Sequence, residues 1–265
     1  MGRDICNLLH LAGTGKLNCF VYLCRISDLP MEISKSKKTA LLFGATGLVG
    51  GYCLEYLLDH PAYREVRVFG RRKLNLTHDK LQQYIVDFDL LQDHAREMEG
   101  ADVFICLGTT MRKAGGREAF YKVDFTYAYE SARIAAENGA NQLLLVSSVG
   151  ANKESLFFYS RVKGQLENAV QELPFWSIHV FRPSVLLGER NENRWGEELA
   201  GQLGRGFDRL TGGLLSKYRP IEAEVVAKAM VNAAQHLKEG VHIYPSDYLQ
   251  QLAAEADANR EVRRG

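Results

Sequence analysis

The sequence predicts an α/β fold: a doubly wound parallel sheet in three α/β/α layers, with a small C-terminal part facing a substrate. Three observations predict it. From Thr39 onward, short apolar runs alternate with longer amphipathic stretches. The central runs are apolar at nearly every position, as strands covered on both faces must be. A glycine-rich turn joins the first run to the first amphipathic stretch. Strands alternating with helices form βαβ units, and right-handed crossovers then impose a parallel sheet.

The predicted strands are Thr39–Phe43, Glu65–Phe69, Leu81–Val86, Asp102–Leu107, Gln142–Ser147 and Ser177–Phe181. Helical periodicity marks Gly50–His60 and Glu118–Asn138 between them. Glu189–Tyr218 is rich in Gly, Arg and Asn, has weak periodicity, and would shape a substrate pocket. Glu222–Leu237 carries apolar residues at Val225, Val226, Ala229, Met230 and Ala233, the spacing of one helix face. Val241–Tyr244 reads as a last short strand, and a polar, weakly helical segment follows Leu249. No internal repeat or low-complexity linker divides the chain. The expected organisation is a peripheral extension over 1–38, one Rossmann-like domain over 39–250 and a polar tail over 251–265.

With 33 basic and 32 acidic residues among 265, the net charge of +1 predicts no nucleic-acid surface. No apolar run reaches the roughly 18 residues of a membrane helix, so no stable membrane insertion is expected. Cys6, Cys19, Cys24, Cys53 and Cys106 form no CxxC pair and lie at no zinc-ligand spacing with histidine. Their odd number and scatter predict free thiols in a reducing compartment, taken as the cytoplasm, and no metal. Gly13-Thr-Gly-Lys16 resembles part of a phosphate-binding loop, but Leu17 stands where Ser or Thr is required.

The turn after the first strand reads Phe43-Gly44-Ala45-Thr46-Gly47-Leu48-Val49-Gly50. Gly44 permits the tight turn, Gly47 lets backbone N–H groups approach a pyrophosphate, and Gly50 lets helix and strand pack closely. The helix N-terminus that follows favours negative charge. Position in front of the first helix makes this a dinucleotide-binding loop. At the end of the second strand, Gly70 stands where enzymes preferring NAD carry an acidic residue, and Arg71 and Arg72 follow. A guanidinium fork suits a 2′-phosphate, so NADP is expected, with NAD the alternative. Asp87 has two readings, an adenine contact or a helix cap. Leu107-Gly108-Thr109 ends the fourth strand, where a glycine lets the cofactor pass close to the backbone.

Tyr159-Ser-Arg-Val-Lys163 places a Tyr and a Lys on one helix face, and Ser147 and Ser148 end the fifth strand. A phenol titrates near 10, too high for proton transfer near neutrality, and a neighbouring ammonium lowers it. The lysine can also bind the nicotinamide ribose, while a serine hydroxyl holds a substrate oxygen beside the phenol. The candidate catalytic residues are therefore Ser148, Tyr159 and Lys163.

These motifs resemble the short-chain dehydrogenase/reductase superfamily over residues 39 to about 235. GATGLVG is similar to its extended and atypical branches. Cys106-Leu-Gly-Thr-Thr110, Val146-Ser-Ser-Val-Gly-Ala151, Tyr159-Ser-Arg-Val-Lys-Gly164 and Phe181-Arg-Pro-Ser-Val-Leu-Leu-Gly-Glu-Arg190 are similar to the atypical group containing the HIV Tat-interacting-protein oxidoreductase and its bacterial relatives. The resemblance implies NADPH binding, a Ser/Tyr/Lys site acting on a small carbonyl or alcohol, and Arg182-Pro183 beside the nicotinamide. Two positions depart from the extended enzymes. Val123-Asp124 stands where sugar-converting members carry Asn, and Val149 where many place the active Ser or Thr. A nucleotide-sugar epimerase or dehydratase is thereby disfavoured. A non-catalytic NADP-sensing regulator or assembly factor is the second alternative. A small-molecule substrate and a monomer or homodimer are expected.

Overall fold

The computed structural model describes residues 36–188 and 218–262. Strand β1 (Lys38–Phe43) turns into helix α1 (Leu48–Asp59), followed by β2 (Tyr63–Gly70) and β3 (Leu81–Ile85). A 3-10 segment, Phe88–Met98, leads to β4 (Asp102–Ile105). The next crossover holds α2 (Met111–Ala114), α3 (Arg117–Tyr121), a π-helical segment over Lys122–Tyr127, and α4 (Ala128–Glu137). Then come β5 (Gln142–Val146), α5 (Phe158–Gln171) and β6 (Ser177–Arg182). The C-terminal part comprises β7 (Leu186–Leu187), β8 (Ile221–Glu222), α6 (Ala223–Ala233), β9 (Gly240–Pro245) and α7 (Ser246–Val262).

Seven strands form one sheet in the order β3-β2-β1-β4-β5-β6-β9, and every neighbouring pair is parallel. The chain winds outward from β1 through β2 to β3, then returns to β4 and winds the other way. Between β1 and β4 the crossovers diverge, which opens a crevice at the strands' C-terminal ends. Residues alternate between two cores, as the period of two demands. Ala40, Leu42, Phe104 and Leu144 pack against α1, α6 and α7. Leu41, Phe43, Ile105, Leu143 and Leu145 pack with the 3-10 segment, α4 and α5. The predicted three-layer, doubly wound fold is the observed one.

Three details differ from the sequence reading. The Glu118–Asn138 stretch is interrupted by π geometry. The polar segment after Leu249 belongs to α7, which runs across position 250 and buries Leu249, Leu252 and Ala253. So few apolar anchors leave little periodicity to read. Strand β1 begins at Lys38, inside the stretch assigned to the extension. The chain divides into units Met1–Pro30 and Met31–Gly265, and the first lies outside the described residues. Of the expected pocket loop, Glu189–Tyr218, positions 189–217 lie outside them as well.

The sheet's N-terminal end is closed by a buried charged network. Lys38 Nζ lies 2.6 Å from Asp102 Oδ2, with both side chains only 1% exposed. The Tyr63 hydroxyl donates to the same oxygen (2.6 Å), and Gln142 Nε2 donates to Asp102 Oδ1 (2.9 Å). Lys38 Nζ also donates to the Ala234 carbonyl (3.1 Å), which ties α6 to the sheet. Burial, then the Asp102 charge, pushes the Tyr63 phenol well above its usual range. Removing one partner strands the others without water. Asp102→Ala is expected to cost about 3–5 kcal/mol of unfolding free energy, measured by urea denaturation.

Candidate active site

The glycine turn lies at the crevice, and its geometry excludes side chains. Gly44 has φ +90°, and a Cβ there would lie 2.5 Å from the Cys106 carbonyl oxygen on the neighbouring strand end. A Cβ on Gly50 would lie 2.1 Å from the Gly44 oxygen. The Gly47 N–H donates to that same oxygen (2.8 Å), closing the turn. Helix α1 begins here with no side-chain cap and no acidic residue in its first turn. Its first N–H groups have no acceptor within the helix. A cradle without side chains, ending on free donors, fits a pyrophosphate.

Neighbouring strand ends supply the rest of the crevice. Gly70 ends β2, and the exposed Arg71 and Arg72 follow. No carboxylate among the described residues is ion-paired with either guanidinium. Asp87 is exposed and caps the 3-10 segment, its Oδ1 accepting from the Asp89 N–H (3.0 Å). The cap is thus formed within the protein itself. After β4, Leu107 is half-buried and Gly108 is exposed, while the Thr109 N–H donates to Asp124 Oδ2 (2.8 Å).

The three candidate catalytic side chains have distinct environments. Tyr159 lies in the first turn of α5, 41% exposed, with its ring 5.6 Å from the buried Phe120 ring. Lys163, one turn later, is buried and holds Asp124 Oδ1 at 2.8 Å. Ser148 follows β5, and its Oγ is buried with no hydrogen-bond partner among the described residues. The loop beyond Ser148 packs on α5. The Asn152 N–H donates to the Ser160 carbonyl (3.0 Å), and a Cβ on Gly164 would lie 2.2 Å from the Lys153 nitrogen. Gly164 is thus what lets the serine-bearing loop approach this helix.

A family profile described as NAD(P)H-binding matches residues 44–173. Protein HTATIP2 of Rattus norvegicus is 38% identical over 205 residues, covering 76% of this chain and 83% of that protein. The chain belongs to this NAD(P)H-binding family. The protein named FMP52, mitochondrial, of Candida albicans is 33% identical over 230 residues, covering 81% of this chain and 98% of that protein. The expected cytoplasmic location is therefore corrected, since fungal relatives from three species are named as mitochondrial proteins. Scattered thiols report the redox state of a compartment and do not distinguish one reducing compartment from another.

Among solved structures, the NAD(P)H-binding chain shares its fold with MoeE5 in complex with UDP-glucuronic acid and NAD. That likeness has TM-score 0.59 and 15% identity, over 77% of this chain and 75% of that one. The ADP-L-glycero-D-manno-heptose-6-epimerase of Helicobacter pylori gives TM-score 0.59 and 17% identity, over 85% and 83%. At such identity the likeness reaches the fold alone.

Two buried carboxylates of this family member went unassigned in the sequence reading. Asp124 pairs with Lys163, as above. Glu167 lies one turn beyond Lys163 on the same face of α5, and accepts from the Ser147 hydroxyl. It also accepts from Arg182 Nε through both oxygens (3.0 and 3.2 Å). This bond holds the Arg182 guanidinium above its usual pKa. The Tyr159, Lys163, Glu167 spacing of four residues was the available signal. Pro183 is buried, and its carbonyl accepts from the Val149 N–H (2.8 Å). A matched pair of helix substitutions tests the cradle. Gly50→Ala is expected to weaken NADPH binding by about tenfold or more, through displacement of the turn. Gly51→Ala, whose Cβ would meet only the Ala45 oxygen at 3.6 Å, should leave binding unchanged. Titration of NADPH fluorescence reads both.

Proposed function

We propose that the protein is an NADP-dependent oxidoreductase acting on a small carbonyl or alcohol through Ser148, Tyr159 and Lys163. One observation carries this reading. The Ser148 hydroxyl is buried at a strand's C-terminal end with no partner among the described residues, and a buried hydroxyl is ordinarily bonded. A substrate oxygen would supply the missing bond. The exposed Tyr159 phenol would then give that oxygen a proton in reduction and take it back in oxidation. Lys163 would hold the nicotinamide ribose. When bound, the nicotinamide supplies the hydride.

Arg71 and Arg72, with glycine at 70 in place of a carboxylate, support NADP over NAD. The names of the fungal relatives support a mitochondrial setting, which fractionation of cells expressing the chain would check. At equal concentration, NADPH is expected to raise the melting temperature more than NADH, since stabilisation grows as RT ln(1 + [L]/Kd). Equal shifts would remove the argument from the two arginines. Tyr159→Phe is expected to keep NADPH affinity within about twofold while kcat falls by roughly 10²–10⁴ on a carbonyl that the wild type reduces. Undiminished turnover would remove the phenol from the chemistry. Tight NADPH binding with no turnover across a broad carbonyl panel would instead favour the sensing alternative.

A further inference from the structure

The helix expected over Glu118–Asn138 does not run evenly. Between α3 and α4 it widens into the π-helical segment Lys122–Tyr127, and Asp124 lies inside that segment with its side chain 1% exposed. A π segment turns the residues that follow it to a new face, and such insertions recur at functional sites. Both carboxylate oxygens of Asp124 are committed. Oδ1 holds Lys163 Nζ at 2.8 Å, and Oδ2 accepts the Thr109 N–H at 2.8 Å. A Cβ on Gly108 would lie 3.5 Å from Asp124 Oδ1 and 3.9 Å from Lys163 Nζ, so the ion pair sits directly under that backbone.

Stability alone gives little reason for such a pair. Desolvating two charges offsets most of their attraction, and an apolar pair of similar volume often serves as well. A lysine side chain is long and rotamer-rich, so fixing its ammonium to one acceptor removes much of its freedom in advance. We propose that Asp124 is a positioning residue: it fixes the Lys163 ammonium beneath Gly108 and Thr109, where the ammonium meets the cofactor ribose. This rests on the assignment of Lys163 to cofactor binding made above. The bond to Thr109 ties the ammonium to the loop that the cofactor crosses, so loop and cation keep one register.

A double-mutant cycle on NADPH affinity tests it, using Asp124→Asn, Lys163→Met and their combination, each shown folded by circular dichroism. Asp124→Asn is expected to weaken NADPH binding about tenfold, and Lys163→Met at least as much. In the Lys163→Met background, Asp124→Asn should then change affinity by less than about twofold, because its effect runs through the lysine. Losses that multiply would overturn the proposal. So would an Asp124→Asn variant with wild-type affinity while Lys163→Met is weakened. If Lys163→Met itself bound NADPH normally, the assignment of Lys163 would fail, and the positioning role with it. Should Asp124→Asn not fold, Asp124→Glu keeps the charge and moves the ammonium by about one methylene. It is expected to lose affinity about tenfold, and wild-type affinity would overturn the proposal.

Discussion

The close approach of β1 to β4 at the head of the crevice is the constraint on which the site depends. The backbone at Gly44 passes so near the Cys106 carbonyl that even a methyl group has no room. Gly50 repeats the condition in the first turn of α1, against the oxygen of Gly44 itself. Together they fix where α1 begins, and so where its free N–H groups point. The strand order turns at this place, because the sheet runs from β1 to β2 on one side and from β4 to β5 on the other. Crevice, turn and helix N-terminus therefore follow from one contact between two backbones.

Buried charge is placed at both ends of the sheet, to different effect. At the N-terminal end, Asp102 collects Lys38, Tyr63 and Gln142 from the first residues of neighbouring elements. All four side chains are buried, and the network closes that end of the barrelless sheet against water. At the C-terminal end, Asp124 and Glu167 each hold a cation whose strand or helix borders the crevice. There the Arg182 guanidinium keeps a route to the open side, while the Lys163 ammonium is buried. The Arg182 side chain is 31% exposed although its partner Glu167 is 2% exposed. The first arrangement locks strands together, and the second holds a polar head at an edge.

The fold was legible because it rests on local pattern. Apolar runs such as Leu143–Leu145 and the glycines at 44, 47 and 50 are short-range signals, and each kept its predicted place. Tyr159, Lys163 and Ser148 could be singled out as candidates for the same reason, by spacing along one helix and position at one strand end. Asp124 and Glu167 were not. Their roles come from partners 39 and 15 residues away, as the Lys163–Asp124 and Arg182–Glu167 pairs show. Asp124 lies buried within the π segment Lys122–Tyr127, which an even helical period does not signal. At Asp87 a helix cap and a cofactor contact share one sequence signal, and the local bond to the Asp89 N–H is formed within the protein itself.

Helix α5 draws these strands of argument together. Tyr159, Lys163 and Glu167 succeed one another along a single face, and their burial deepens in that order, from 41% exposed to 4% and 2%. Each meets a different part of the crevice wall. Tyr159 stands at the mouth against Phe120 of α3, Lys163 reaches the end of β4 through Asp124, and Glu167 joins the ends of β5 and β6 through Ser147 and Arg182. Three strand ends and one helix are thus held in mutual register by side chains one turn apart. A displacement of α5 would move the phenol, the ammonium and the guanidinium together. That shared frame lets an exposed phenol keep a defined position, since the two residues below it are anchored on both sides.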